Sequence, residues 1–387
     1  MPPVTNRYDP LDARVLRDPY PVLAELRRTE PVFWHEKMGS WVLTRYTDCV
    51  RVLRDHTLFA RDPRRTGGTV PEPSLSVQTL DPPQLSRVRS LFMAALRAQD
   101  LAAIEERARR LVTSRLDELA GAGQFDVVAE LAVPLSVAVV ADLLGVEPPP
   151  YAEFAAVSDT IMRSMDGGLD PSLVEPGRIA RQRLSKLVDE WFTASSRPGL
   201  LEHVRQAAPD TGLMTQLVKN TARVMFQGGY STMTAALGNA VAVLLTRPDA
   251  LERMRDAALL ATGVDELVRF DGPVQGTTRT AVRACRIGGI DIAPGQKVVP
   301  LFAAANRDPD AFPFADQLVL DRAPNPHLGY GWGPHACIGT TVAQAGLRAL
   351  VTALANHPAR LIAVSDAVRR RTATMRAYQT LPALLRF

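Results

Sequence analysis

The 387-residue sequence is expected to fold as a mainly α protein with small peripheral β-sheets. Two long stretches, Ser86–Leu119 and Pro209–Leu245, read as helices by composition and patterning. Strand signals, by contrast, are confined to short runs near the two ends and between helices. No Gly/Ser linker, low-complexity run or fixed-period repeat divides the chain, so one domain over residues 1–387 is the expectation. With 46% hydrophobic residues such a domain can bury a sizeable core.

In chain order, Pro31–His35 and Trp41–Thr44 flank a Gly-containing turn and read as a hairpin, followed by a short helix over Asp48–Leu53. Arg61–Ser76 is rich in Pro, Gly, Arg and Thr and reads as a loop. Ser86–Leu119 is helical. Leu131–Leu144 is an apolar helix that stops before Pro148-Pro149-Pro150. A polar, glycine-containing stretch, Met165–Gly177, separates two further helices and has the composition of a mobile cover. Pro209–Leu245 is the long core helix, and helices continue to Phe270. A second hairpin is expected to pair Gly289–Ile292 with Gln296–Val299 across Ala293-Pro294-Gly295. Leu347, Leu350, Val351 and Leu354 follow helical spacing, and Thr380–Leu384 is strand-like.

Composition excludes several function classes. The net charge of +4 and isoelectric point near 9.1 are modest, and the arginines are scattered. A nucleic-acid binder wants a concentrated basic stripe, which is missing; a basic face for an acidic protein partner is reasonable. Three cysteines at unrelated spacings fit a reducing cytoplasm. Met1–Pro10 lacks the layout of a signal peptide. Val224–Thr246 has no charged residue, yet it contains Gln227, Tyr230, Ser231, Thr232, Thr234 and Asn239. A buried core helix, and no membrane association, is the expectation.

The chemistry concentrates around Cys337, in His327-Leu328-Gly329-Tyr330-Gly331-Trp332-Gly333-Pro334-His335-Ala336-Cys337-Ile338-Gly339. Glycines let a backbone approach a flat object closely. A cysteine at the mouth of the following helix meets unpaired N–H groups that favour a thiolate. A thiolate on such a loop is what a haem iron needs as axial ligand. A dinucleotide loop is disfavoured because Pro334 stands where the third glycine belongs. Zinc would have His335 and Cys337, but Cys49 and Cys285 lack paired spacing. An inert buried thiol is the commonest role of a lone cysteine, and the glycines, the histidine and the helix argue against it.

Gly331-x-Gly333-x-His335-x-Cys337-x-Gly339 resembles the haem-binding loop of the cytochrome P-450 superfamily, and companion segments extend the resemblance from about residue 8 to the C-terminus. Tyr330 stands where phenylalanine is usual, and Gln344 where bacterial members commonly carry arginine. The resemblance implies haem b on the Cys337 thiolate, with Gly331 and Gly339 at the porphyrin. Arg89, Arg279 and His335 match partners of the haem propionates, while Leu85 replaces a histidine of the family's Asp81-Pro82-Pro83 segment. Glu266-x-x-Arg269, Asn306-Arg307-Asp308-Pro309 and Arg322 match a supporting network.

On the long helix the family pattern is small-Gly-x-acid-Thr, and this chain reads Gly228-Gly229-Tyr230-Ser231-Thr232. Thr232 matches the alcohol that relays protons to bound oxygen, and Ser231 replaces the acid, so Thr232 and Ser231 are the catalytic candidates. Two glycines mid-helix are destabilising by roughly 1–2 kcal/mol; close helix packing and a local widening of the helix both account for them. Phe226, Tyr230, Val274 and Tyr378 are candidates for the substrate pocket.

The implied activity is a bacterial-type monooxygenase. It would draw two electrons from a ferredoxin and ferredoxin reductase, and hydroxylate or epoxidise a small organic molecule, with microbial secondary metabolites the base-rate choice. The absent acid leaves oxidative coupling without oxygen insertion as an alternative, and a non-catalytic haem protein as a third.

Overall fold

The computed structural model describes residues 8–194 and 197–387; the expectation that Met1–Pro10 carries no leader falls almost wholly outside them. Helices α1 (Ala13–Arg17) and α2 (Tyr20–Thr29) precede the hairpin β1 (Val32–His35) and β2 (Ser40–Leu43), then α3 (Tyr46–Arg54) and β3 (Phe59–Ala60). Within the Arg61–Ser76 loop only two 3-10 turns form, Pro63–Thr66 and Glu72–Ser74.

Ser86–Leu119 is two helices where one was expected. α4 (Gln84–Arg97) stops, and Asp100 opens α5 (Leu101–Leu119) by accepting the Ala103 N–H at 3.0 Å. β4 (Phe125–Asp126) and a π turn, Val128–Ala132, lead into α6 (Val133–Leu144), and then α7 (Tyr151–Arg163). The polar stretch Met165–Gly177 forms two 3-10 turns, but its last residues already belong to α8 (Val174–Ala194). α9 (Leu200–Thr211) holds Pro209, so the long helix starts later than expected: Gly212, at φ 63°, ends α9, and α10 runs Thr215–Leu245. α11 (Pro248–Arg253) and α12 (Ala257–Asp271) follow.

Next come β5 (Arg279–Ala281), β6 (Cys285–Ile287), β7 (Ile290–Ile292) and β8 (Lys297–Pro300). The second hairpin pairs differently from the expectation: β7 pairs with β6, not with β8. Gly288 and Gly289, at φ 55° and 84°, supply the two left-handed positions of a tight hairpin turn between β6 and β7. β8 instead runs parallel to β2 and antiparallel to β5. α13 (Phe302–Ala305), α14 (Thr340–Asn356), β9 (Arg360–Ala363), β10 (Val368–Arg369), β11 (Tyr378–Thr380) and β12 (Pro382–Arg386) complete the chain.

One sheet has the order β1-β2-β8-β5-β3, a second β4-β12-β9, and β6-β7 and β10-β11 are two-stranded ribbons. The mainly α expectation with small sheets holds. α10 runs through the principal apolar cluster, packed on α6, α8, α12 and α14. Among the described residues no helix is long and apolar enough to cross a membrane.

Candidate active site

The loop before α14 is shaped by its glycines. Gly331 and Gly333 have φ of 69° and 71°, and a Cβ on Gly333 would lie 2.4 Å from the Leu53 carbonyl oxygen of α3. That contact seats the loop on α3, and the Arg54 guanidinium lies 5.4 Å from the Trp332 ring. The Cys337 N–H donates to the Tyr330 carbonyl at 2.8 Å. Cys49 is buried, Cys285 half-buried and Cys337 accessible. Although accessible, Cys337 is ringed by protein, and this raises its thiol pKa above the usual value. The Gly339 N–H, the Thr340 hydroxyl and Arg89 pull the other way without prevailing. The Gly339 N–H at the mouth of α14 thus favours the thiolate, as the sequence predicts, against the desolvation of the surrounding protein.

Beside the loop lies a cluster of basic side chains. His335 Nε2 lies 3.0 Å from Asp81 Oδ1. Burial, set against the Asp81 contact, holds the imidazole down to about 4, so the neutral ring donates to the carboxylate. Although burial acts to raise the Asp81 carboxyl, His335, the Asp62 and Arg61 N–H groups and Arg65 carry it well below its ordinary value. The Arg279 guanidinium is lowered to about 9, by burial first and then by neighbouring Arg61, with Asp81 opposing. Arg89 donates to the Ala336 carbonyl at 2.8 Å and thereby braces the residue before the cysteine. Leu85 points into the core. Arg61 is the member that sequence reasoning missed; it donates to the Thr277 hydroxyl at 3.3 Å, and burial lowers its pKa.

On the other side of the loop, Glu266 and Arg269 have fully buried side chains. Glu266 accepts from Arg269 Nε at 2.7 Å and Nη2 at 2.8 Å, from Arg322 Nε at 3.0 Å, from the Val319 N–H at 2.9 Å and from Asn325 Nδ2 at 3.2 Å. Arg269 also donates to the Asn306 carbonyl, while the Asn306 side chain accepts the Leu328 N–H at 2.7 Å. The structure thus brings Glu266, Arg269 and Arg322 together and joins them to the start of the cysteine loop. Gln344 donates to Asp265 at 2.8 Å.

Along α10 the two glycines meet different surroundings. A Cβ on Gly229 would come within 3.2 Å of Val140 on α6, which is close packing, whereas one on Gly228 would meet nothing within 4 Å. The helix stays α-helical from Thr215 to Leu245, so the expected local widening is absent from its backbone. Thr232 instead donates its hydroxyl to the Gly228 carbonyl at 2.5 Å. Ser231 lies 2.7 Å from the Ser158 hydroxyl of α7 and accepts from Gln227 Nε2 at 2.7 Å. Ser158 was not legible from sequence, since nothing local marks it.

Tyr230, Ser231, Ser158 and Tyr378 line a cavity of about 40 Å³ that is partly open to solvent, with Met375 and Ala377 in its wall. Burial pushes the Tyr230 hydroxyl up to about 12. Val274 pairs with Met375 behind that wall. Phe226 lies outside the cavity lining, as a correction: its ring is fully buried between Phe154 and Trp191, at 4.7 and 4.6 Å, because α7 and α8 cover that face of α10.

A sequence model of the family "Cytochrome P450" matches residues 181–357. The chain is 30% identical to 6-deoxyerythronolide B hydroxylase of Saccharopolyspora erythraea, over 95% of this chain and 96% of that protein. It is 31% identical to mycinamicin IV hydroxylase/epoxidase of Micromonospora griseorubida, over 85% of each. The chain belongs to the cytochrome P450 family. The crystal structure of CalO2 superposes with a TM-score of 0.87 at 30% identity, covering 98% of this chain and 99% of that one.

As a cytochrome P450 the protein is a monooxygenase with a haem-thiolate cofactor, a redox partner and a small-molecule substrate. Its own residues fit that cofactor. The guanidinium groups of Arg61, Arg65 and Arg279 gather near one carboxylate, Asp81, so positive charge is left over for further anionic partners. Gly339 keeps the space beside the Cys337 sulfur free of a side chain, since a Cβ there would lie 3.9 Å from Sγ, and the open face of Gly228 leaves space on α10.

Proposed function

We propose that residues 1–387 form one haem b monooxygenase domain of the cytoplasm. Electrons would come from a ferredoxin and ferredoxin reductase, and a microbial secondary metabolite would be hydroxylated or epoxidised. The observation that carries the reading is the combination of Cys337 on its glycine loop with the basic cluster around Asp81. When bound, haem would supply the redox chemistry with dioxygen, and the Cys337 thiolate would tune it by donating charge.

The protein residues position and tune. In this reading Cys337 would hold the haem iron, and Arg89, Arg279 and Arg61 would hold the propionates, with His335 joining them where its one N–H turns from Asp81. Arg89 fixes the loop through Ala336, and Glu266, Arg269 and Arg322 support it from behind. Thr232, with Gly228 as its acceptor, holds a proton near the reacting face of α10. Ser231 carries no acid, and its bond to Ser158 makes a hydroxyl pair that can pass a proton but cannot store one. Tyr230 and Tyr378 form walls of the cavity read here as the substrate site. The relatives named as hydroxylase and epoxidase support insertion over coupling.

The test is turnover under labelled dioxygen with a ferredoxin system, after a screen for ligands that shift the haem spectrum. One labelled oxygen per product is expected. A product formed without it establishes coupling, and a haem that no ferredoxin reduces establishes the non-catalytic alternative.

A further inference from the structure

Ser158 and Ser231 are satisfied differently from other hydroxyls on the core helices. Ser136 of α6 and Thr221 and Thr232 of α10 each donate to the carbonyl four residues back, at 2.7, 2.8 and 2.5 Å, the common solution for a hydroxyl inside a helix. Ser158 and Ser231, only 2% and 7% exposed, instead meet each other across the α7–α10 contact at 2.7 Å. Gln227, one turn before Ser231, donates from Nε2 to both, at 3.1 Å to Ser158 and 2.7 Å to Ser231. The Phe154 and Tyr230 rings, edge to face at 4.6 Å, hold the two helices together at this point.

One donor proton is left over in this trio. Gln227 Nε2 carries two N–H bonds and each serine one O–H. The three contacts use three of these four protons, so one serine O–H has no acceptor within the trio. Both serines line the cavity, and the remaining proton can be turned into it. The Thr234 hydroxyl, also in the lining and next to that of Tyr230, is buried and makes no hydrogen bond of good geometry among the described residues. Buried hydroxyls without partners are destabilising, and an acceptor that enters the cavity relieves them.

The same lining offers no free charge. Among the described residues in it, Asp159 and Arg370 alone are formally charged, and they pair with each other. Arg370 also donates from Nε to the Tyr378 carbonyl at 3.2 Å. An entering carboxylate would lose its water beside a guanidinium already neutralised, and an ammonium would meet a carboxylate already paired. A water needs roughly 10–15 Å³, so a cavity of about 40 Å³ admits one small polar group and leaves the bulk of a ligand outside it.

We propose that this cavity seats the oxygen-bearing end of the substrate, a neutral acceptor such as a ketone, lactone, ether or hydroxyl oxygen on an otherwise apolar frame. Ser158 and Ser231 present the donor, Gln227 holds the two serines in place, and Ser158 is a specificity-determining residue. This rests on the reading of that cavity as the substrate site. Plain hydrocarbons leave the donor unmet, and carboxylates find no cation, so both bind less well than their neutral oxygenated counterparts.

The test uses the haem-loaded protein and one ring skeleton in three forms, indane, indanone and indanecarboxylate, with affinity read from the shift each causes in the haem spectrum. In wild type, indanone should bind at least about tenfold tighter than indanecarboxylate. A double variant, Ser158→Ala with Ser231→Ala, should weaken indanone by about three- to tenfold, the equivalent of one hydrogen bond, and leave indane unchanged. The infrared carbonyl band of bound indanone should lie lower in wild type than in the double variant, because an accepted hydrogen bond weakens the C=O bond. Ser158→Thr keeps the hydroxyl and should keep the wild-type band position. Indanecarboxylate bound tighter than indanone in wild type overturns the neutral class. A wild-type band at the position indanone shows in hydrocarbon solvent overturns the anchor whatever the variants do, and so does a double variant that weakens indane as much as indanone. If the wild-type protein gives no labelled product in the turnover assay above, the functional reading fails, and the titrations and the carbonyl band still decide the anchor.

Discussion

Replacing Glu266 by alanine removes the acceptor shared by Arg269 and Arg322, together with the bonds to the Val319 N–H and Asn325. Breaking a buried ion pair from one side is typically destabilising by about 3–5 kcal/mol, because the remaining charge is left uncompensated. Two features place this case at the lower end. Arg269 keeps the carbonyls of Asn306, Ala315 and Gln317, and Arg322 keeps those of Pro313 and Phe314. A loss of about 3 kcal/mol is a large share of a typical stability of about 5–15 kcal/mol. At a urea dependence of about 3 kcal/mol per molar, the unfolding midpoint should fall by about 1 M. Glu266→Gln keeps an acceptor but turns an amide toward arginine donors, so its midpoint should lie between the two. The assay is urea unfolding followed by tryptophan fluorescence and the haem band, with haem content per protein measured alongside. Haem content should fall in step, since Asn306 joins the network to Leu328 at the start of the loop. A midpoint and haem content equal to wild type in Glu266→Ala would refute the reasoning.

Three further outcomes are expected. The Tyr330 hydroxyl is buried without a hydrogen-bond partner among the described residues, so Tyr330→Phe should leave the urea midpoint unchanged or raise stability by about 1 kcal/mol; a clear loss would show that the hydroxyl is paired. Burial acts to raise the Asp271 carboxyl, but Arg376, Arg369 and the Tyr20 hydroxyl bring it down to about 2 from 3.8. Its contribution, about 2 kcal/mol, is therefore full above pH ~4 and lost as pH falls toward 2, and Asp271→Asn should flatten that part of the acid-unfolding curve. Thr232→Ala should raise the hydrogen peroxide released per electron pair consumed, read by peroxide assay against substrate oxidised; unchanged coupling would remove Thr232 from proton delivery.

Much of the scaffold could be read from the sequence because its signals are local. The hairpin at Val32–Leu43, the helix after Cys337 and the long apolar helix all follow from periodicity and turn residues. The pairing of β6 with β7 was signalled by Gly288-Gly289 but overshadowed by Ala293-Pro294-Gly295, which carries the chain onward to the larger sheet. The split of Ser86–Leu119 depended on one capping aspartate, Asp100, inside continuous helical composition. Arg61 and Ser158 were invisible for another reason. Each acquires its place only when distant segments meet, Arg61 beside Arg279 and Ser158 against Ser231. Phe226 misled because an aromatic on a central helix looks the same whether it faces a cavity or α7 and α8.

The account turns on Cys337 as the haem ligand, and the most direct measurement is the spectrum of the reduced protein under carbon monoxide. Wild type, Cys49→Ala and Cys285→Ala should all show the strongly red-shifted Soret band of thiolate ligation, and Cys337→Ala should lose it while still expressing as folded protein. A red-shifted band that survives in Cys337→Ala, or disappears in Cys285→Ala instead, would contradict the assignment.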